Sequence, residues 1–213
     1  MTNRFLAYHR TFIAMLSGEK NLPSSTFVRW GALGGVIAGL AWAVSDVLAL
    51  LFPGQEEGPI GSASFYLIES ADAIAEAGML AALLGLHVVQ ARSLGRLGRI
   101  SFVVAFIGTA LVLVSTLWSV ILLDRFGTTV PSLMFGLGLL GWLVGFVLFG
   151  IATFRARVLP RWSGLLLVAY PLVLLAGVPI EGPLILVGLL WLALGYALWT
   201  RRDMAAEQAP RVA

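Results

Sequence analysis

Apolar residues in this chain run rather than alternate. Stretches of about 20 apolar residues recur, and each is long enough to cross about 30 Å of hydrocarbon as a helix. Short segments rich in Gly, Pro and charge separate them. Six spans are predicted: about Trp30–Phe52, Ala63–Gln90, Gly98–Leu123, Pro131–Phe154, Trp162–Val178 and Pro183–Thr200. The fifth is the shortest, near the lower limit for a crossing, and has Pro171 inside it. The expected fold is all-α, a polytopic six-helix transmembrane bundle over 30–200. A segment over 1–29 precedes it and a short tail over 201–213 follows.

The first 29 residues do not read as a cleavable signal peptide, because Tyr8, His9 and Arg10 break the apolar content. Phe5, Leu6, Phe12, Ile13 and Leu16 recur at helical spacing, which predicts a short amphipathic helix in the membrane interface. Asn21-Leu-Pro-Ser-Ser-Thr26 then reads as a turn before the first span. Gly35/Gly39 in span 1 and Gly141/Gly145 in span 4 have the four-residue spacing that lets helices approach closely. Packing within one bundle is the expectation, with a dimer seam as the alternative. Trp30, Trp162 and Trp199 fall near span ends, where interfacial tryptophans are common.

Composition agrees with this pattern. The chain is 59% hydrophobic and 12% charged, with a mean hydropathy of +0.94. A soluble domain carries about 25% charged residues. The pI of 9.8 would admit nucleic acid as a partner, but the placement of the charges argues against it. Of the 14 Lys and Arg residues, all but Arg125 fall on one side of the predicted bundle. They occupy the N-terminal segment, the loops at Arg92–Arg99 and Arg155–Arg161, and the tail. By the positive-inside rule that side is cytoplasmic, which places both termini inside. Glu56, Glu57, Asp124 and Glu181 fall on the opposite side.

Span 2 carries three acids, Glu69, Asp72 and Glu76, and acids inside a bilayer are costly unless paired, hydrated or functional. At 100° per residue, Glu76 lies about 20° from Glu69, and Asp72 about 60° from it, so all three share one face. His87 returns to the same angle near the inner end, and Gln90 falls in line with Asp72. Leu80 and Leu83 interrupt the polar face, with Met79 just to one side. Helical rise places Glu69 about 9 Å and Glu76 about 20 Å from the outer end of the span. Asp46 in span 1 is level with Glu69, and Ser115, Thr116 and Ser119 in span 3 fall in the same outer layer. These residues, with Glu76 as the floor, could converge on a pocket opening outward. An apolar plug would divide that pocket from His87, a candidate inner relay. No basic residue lies deep in any span to balance the acids. The site reading is proton or cation exchange. The structural reading is neutral acids hydrogen-bonded to Ser and Thr on neighbouring helices.

Several chemistries are excluded by counting. The chain has no cysteine, so thiol–disulfide exchange, a Cys nucleophile and an iron–sulfur site are absent. Only one His and no Lys lie in a span, which removes a bis-His haem, a three-His zinc site and a retinal-type Schiff base. Glu69-x-x-Asp72-x-x-x-Glu76 has Mg²⁺-ligand chemistry but lacks the Gly and Arg residues that phosphate binding needs. No cofactor is called for, a metal is undetermined, and no catalytic residue stands out.

Phe149-Gly-Ile-Ala-Thr-Phe-Arg-Ala-Arg-Val-Leu-Pro-Arg-Trp-Ser-Gly-Leu-Leu-Leu167 resembles a loop found in uncharacterised small bacterial inner-membrane proteins. There a helix ends in basic residues and Leu-Pro-Arg opens the next. The resemblance implies a multi-pass protein of the bacterial cytoplasmic membrane and transfers no functional residue. The first functional expectation is a membrane protein that binds or translocates protons, small cations or a cationic solute. An accessory or scaffold protein packing against a membrane partner, or a homo-oligomer, is the alternative. A lipid-acting enzyme is third.

Overall fold

The computed structural model describes residues 24–52, 62–126, 129–177 and 184–207. They form six helices: α1 (Ser24–Leu51), α2 (Ala63–Gln90), α3 (Arg96–Phe126), α4 (Thr129–Ala156), α5 (Arg161–Gly177) and α6 (Leu184–Glu207). Four of them are long and apolar enough to cross a membrane, over Thr26–Leu51, Ala63–Gln90, Arg96–Ile121 and Ser132–Ala156. The apolar stretches of α5 and α6 are shorter, Arg161–Leu175 and Ile185–Thr200. The predicted interfacial helix before residue 24 and the loop acids Glu56, Glu57 and Glu181 lie outside the described residues.

Helix ends differ from those read off hydropathy. Ser24, Ser25 and Thr26, expected in a turn, form the first turn of α1, and α6 runs on to Glu207. Apolar content marks where lipid contact stops. Backbone hydrogen bonding continues past that point, because polar residues at the headgroup level lose nothing by staying helical. The start of α2 carries an explicit signal: the Ser62 hydroxyl accepts from the Phe65 N–H at 3.2 Å and caps the helix. Arg157, with φ of 54°, turns the chain after α4 in the left-handed region that usually falls to glycine.

Consecutive helices pack side by side, and α6 returns against α1, so the six close into a ring. Glycine makes the tightest seams. α1 has two of them on adjoining faces. A Cβ on Gly31 would stand 2.5 Å from the Cα of Gly85 in α2. A Cβ on Gly35 would stand 2.8 Å from the Cα of Gly195 in α6, and one on Gly39 2.5 Å from the Gly188 carbonyl oxygen. Gly138 meets Gly108 across α3–α4, and Gly150 meets Gly164 across α4–α5. The Gly35/Gly39 and Gly141/Gly145 pairs are thus used inside the bundle, as the spacing predicted. Backbone meets backbone at these points, which is the close approach that small residues permit.

The ring is filled rather than hollow. Phe146, Tyr170 and Trp191, from three helices, are almost wholly buried and meet edge to face, with Phe146–Tyr170 centroids 5.1 Å apart and Tyr170–Trp191 5.6 Å apart. The outside is apolar as well. Leu33, Ile37, Leu40 and Val44 on α1, and Ile100, Val103 and Ile107 on α3, are exposed at helical spacing. A coat of this extent suits lipid, not water. Trp30, Trp162 and Trp199 are all exposed, and all lie near the end where Arg29, Arg92, Arg96, Arg99, Arg155 and Arg161 are also exposed. This is the arginine end of the bundle, and the opposite one, where α2 begins, is the acidic end.

Candidate functional site

Glu76 sits about midway along α2, which spans about 42 Å. It is 3% exposed. Its Oε1 lies 3.2 Å from the Thr116 hydroxyl of α3, while Oε2 has no hydrogen-bond partner among the described residues. The same Thr116 oxygen lies 3.2 Å from the Val112 carbonyl, four residues earlier in its own helix. Thr116 therefore stands between an acid and a carbonyl with one hydrogen of its own to donate. Tyr170 of α5, Asp72 and Glu69 are within electrostatic reach of the carboxyl, and among the described residues no basic side chain is.

One turn further on, Met79 is fully buried and accepts two hydrogen bonds at its sulfur. Trp42 Nε1 of α1 donates at 3.4 Å and Tyr170 Oη of α5 at 3.6 Å. Burying an indole N–H or a phenol is costly without an acceptor, and the polarizable thioether supplies one for both. Trp142 packs edge-on against Tyr170, with centroids 5.1 Å apart. Glu76 thus has the Thr116 hydroxyl as its partner and Tyr170 within electrostatic reach, and Trp142 and Phe146 pack on that Tyr170 to form an aromatic wall.

The remaining candidates separate into groups. Glu69 and Asp72 lie on the same face of α2, half-buried, nearer the acidic end. Ser115 is buried and Ser119 half-buried on α3. Asp46 is 4% exposed but turns to α6 instead of α2, where its Oδ2 accepts from the Ile185 N–H at 3.2 Å. It caps the first turn of α6 from another helix, meeting both an orphan donor and the positive end of the helix dipole. The expected convergence of Asp46 with the other acids is not what the fold delivers. Closure of α6 onto α1 gives Asp46 a nearer partner.

His87 is 5% exposed and stacks on Phe102 of α3, with centroids 4.0 Å apart and planes 14° apart. It lies about 16 Å along the helix from Glu76. Leu83, between them on α2, is fully buried, and Leu80 is half-buried. Fully buried Met79 and Leu83 lie on α2 in the interval where the sequence reading sets an apolar plug.

Among the described residues, no three His, Asp or Glu side chains are grouped as a metal site. Sequence reasoning named Glu76 and Thr116 and placed them in adjoining layers. It missed the Met79–Trp42–Tyr170 cluster, in which Trp42 and Tyr170 lie 37 and 91 residues from Met79 on α1 and α5, and each of which reads as an ordinary span residue. Comparison with protein-family models, curated proteins and solved structures gives no match. The chain is a multi-helix protein built for a membrane, with acids buried in it.

Proposed function

We propose that this protein is a multi-pass membrane protein that binds and exchanges protons at Glu76. The contacts of Thr116 carry the reading. Its oxygen lies within reach of two acceptors, and its single hydrogen serves only one of them fully. A proton on Glu76 supplies the missing hydrogen: the acid donates to Thr116, and Thr116 donates to Val112. When the acid loses that proton, Thr116 turns to the carboxylate and the Val112 carbonyl gives up its side-chain contact. The site therefore has two hydrogen-bonding arrangements that differ by one proton. Among the described residues no nearby base fixes either of them.

The path to Glu76 runs along Asp72 and Glu69 from the acidic end. With six spans and the arginine end in the cytoplasm, that path opens outward. The bundle is then N-in and C-in, in the inner membrane of a bacterium. A small cation or cationic solute fits the acidic end, where Glu69 and Asp72 are half-buried, better than the wall around Glu76. On this reading the protein carries protons across its bilayer.

Proton flux in liposomes tests the proposal. Glu76→Gln keeps the shape and one acceptor for Thr116 but cannot exchange a proton. It should abolish pH-driven flux while the protein still inserts. A second reading, an accessory protein resting against a membrane partner, draws on an apolar groove between α1 and α2. The groove has a volume of about 290 Å³ and is lined by Trp30, Leu33, Ile37 and Ile74 beside small residues. It predicts co-purification with that partner and tolerance of Glu76→Gln.

A further inference from the structure

At the arginine end, four buried side chains have polar atoms with no hydrogen-bond partner among the described residues. His87 and Gln90 occupy the last turn of α2, Thr153 the last turn of α4, and Ser163 the first turn of α5. They are 5%, 0%, 1% and 0% exposed. His87 Nδ1, both amide atoms of Gln90, Thr153 Oγ1 and Ser163 Oγ have no hydrogen-bond partner among the described residues.

The four share one level of the bundle, since α2 and α4 end there and α5 begins there. Ring and glycine contacts tie the level together. His87 stacks on Phe102, whose centroid lies 6.0 Å from that of Phe149, one turn before Thr153. Gly150 meets the backbone of Gly164, next to Ser163. Thr153 is the most informative of the four. Thr109 and Thr116 satisfy their hydroxyls on the carbonyl four residues earlier, at 2.8 and 3.2 Å, as helical threonines can. Thr153 leaves that bond unmade. An unpaired buried polar atom costs more than a hydrogen bond gains, so native interiors rarely keep several together.

The chemistry of the level selects its ligand. Hydroxyls, an amide and an imidazole offer donors and acceptors in equal measure and no net charge. Arg99 is the charged group that acts on His87, which disfavours a cation. No carboxylate stands among the four, and an apolar ligand would satisfy none of them. We infer that His87, Gln90, Thr153 and Ser163 form a second buried site, on the arginine side of the aromatic wall, that takes water. A buried water makes about three hydrogen bonds, so the five atoms suit about two waters. On the reading of Glu76 as a proton site, this level is the far half of the path, and the aromatic wall is the barrier between the halves.

The natural absence of cysteine makes the test direct. Thr153→Cys and Ser163→Cys are close to isosteric and would be made singly, in the full chain in liposomes. Leu167→Cys, one turn deeper on α5 and fully buried, is the control. The probe is a small, charged methanethiosulfonate, which reacts with hydrated thiolates. Modification of both cysteines at least about tenfold faster than Leu167→Cys is expected. Rates equal to the control would overturn the inference. Gln90→Met gives an independent reading in case a cysteine variant does not fold. In a wet level it brings no rise in melting temperature; a clear rise would mean that the amide was buried dry, and the site would fall. Neither measurement involves Glu76, so failure here leaves the proton site standing, and failure of Glu76→Gln leaves the water site standing.

Discussion

Asp46 and Glu76 are both acids, both at most 4% exposed, and on neighbouring helices, yet the fold treats them in opposite ways. Asp46 meets the backbone N–H of Ile185 at the start of α6. A helix N-terminus offers a fixed donor and a positive dipole, so a carboxylate there is satisfied as it stands. Glu76 meets one hydroxyl that already has a carbonyl to serve, and its second oxygen meets nothing among the described residues. Burial of an acid in a membrane bundle is therefore not a sign of function by itself. What separates the two is whether the partner is a fixed donor or one that can turn away.

The wall beside Glu76 offers the largest break in this contrast. Met79→Ala removes the acceptor shared by Trp42 and Tyr170 and opens space between buried rings. We expect a loss of about 2–5 kcal/mol in thermal or denaturant unfolding. The same variant should lose proton selectivity, read as leak of other cations in liposomes. Asp46→Leu comes next: it strips the cap from α6 and should cost about 1–2 kcal/mol, with Asp46→Asn recovering most of it. Proton flux through Asp46→Asn should stay near wild type, which separates a structural acid from an exchanging one.

Thr116→Val should cost about 1 kcal/mol, the scale of one hydrogen bond, and should slow proton exchange at Glu76. Smallest in stability is Glu76→Leu. Replacing a buried, half-satisfied acid with an apolar side chain should be neutral or stabilising by about 1 kcal/mol in the same unfolding assay, while flux disappears. A large destabilisation by Glu76→Leu would place Glu76 beside Asp46 as a structural group.

Much of the bundle was legible in the sequence. Long apolar runs found α1 to α4, because a helix that crosses hydrocarbon has no other way to satisfy its backbone. The three-acid face of α2 followed from periodicity, and helical rise brought Thr116 within one layer of the Glu76 that it meets. Glycine spacing showed that close seams exist but not which helices they join. Only the fold shows that Gly31 faces α2 while Gly35, one turn on, faces α6. Asp46 was expected beside the α2 acids, but its hydrogen bond goes to α6, and nothing in span 1 records that α6 closes against it. The aromatic wall was invisible for the same reason. Trp142, Tyr170 and Trp191 each look like routine span residues until the ring brings them together.

The central claim is that Glu76 exchanges a proton with its surroundings. The most direct test is proton flux in liposomes under an imposed pH gradient, comparing wild type, Asp46→Asn and Glu76→Gln at matched insertion. The account predicts flux in the first two and none in the third. Equal flux in all three would show that the proton moves without Glu76 and would contradict it.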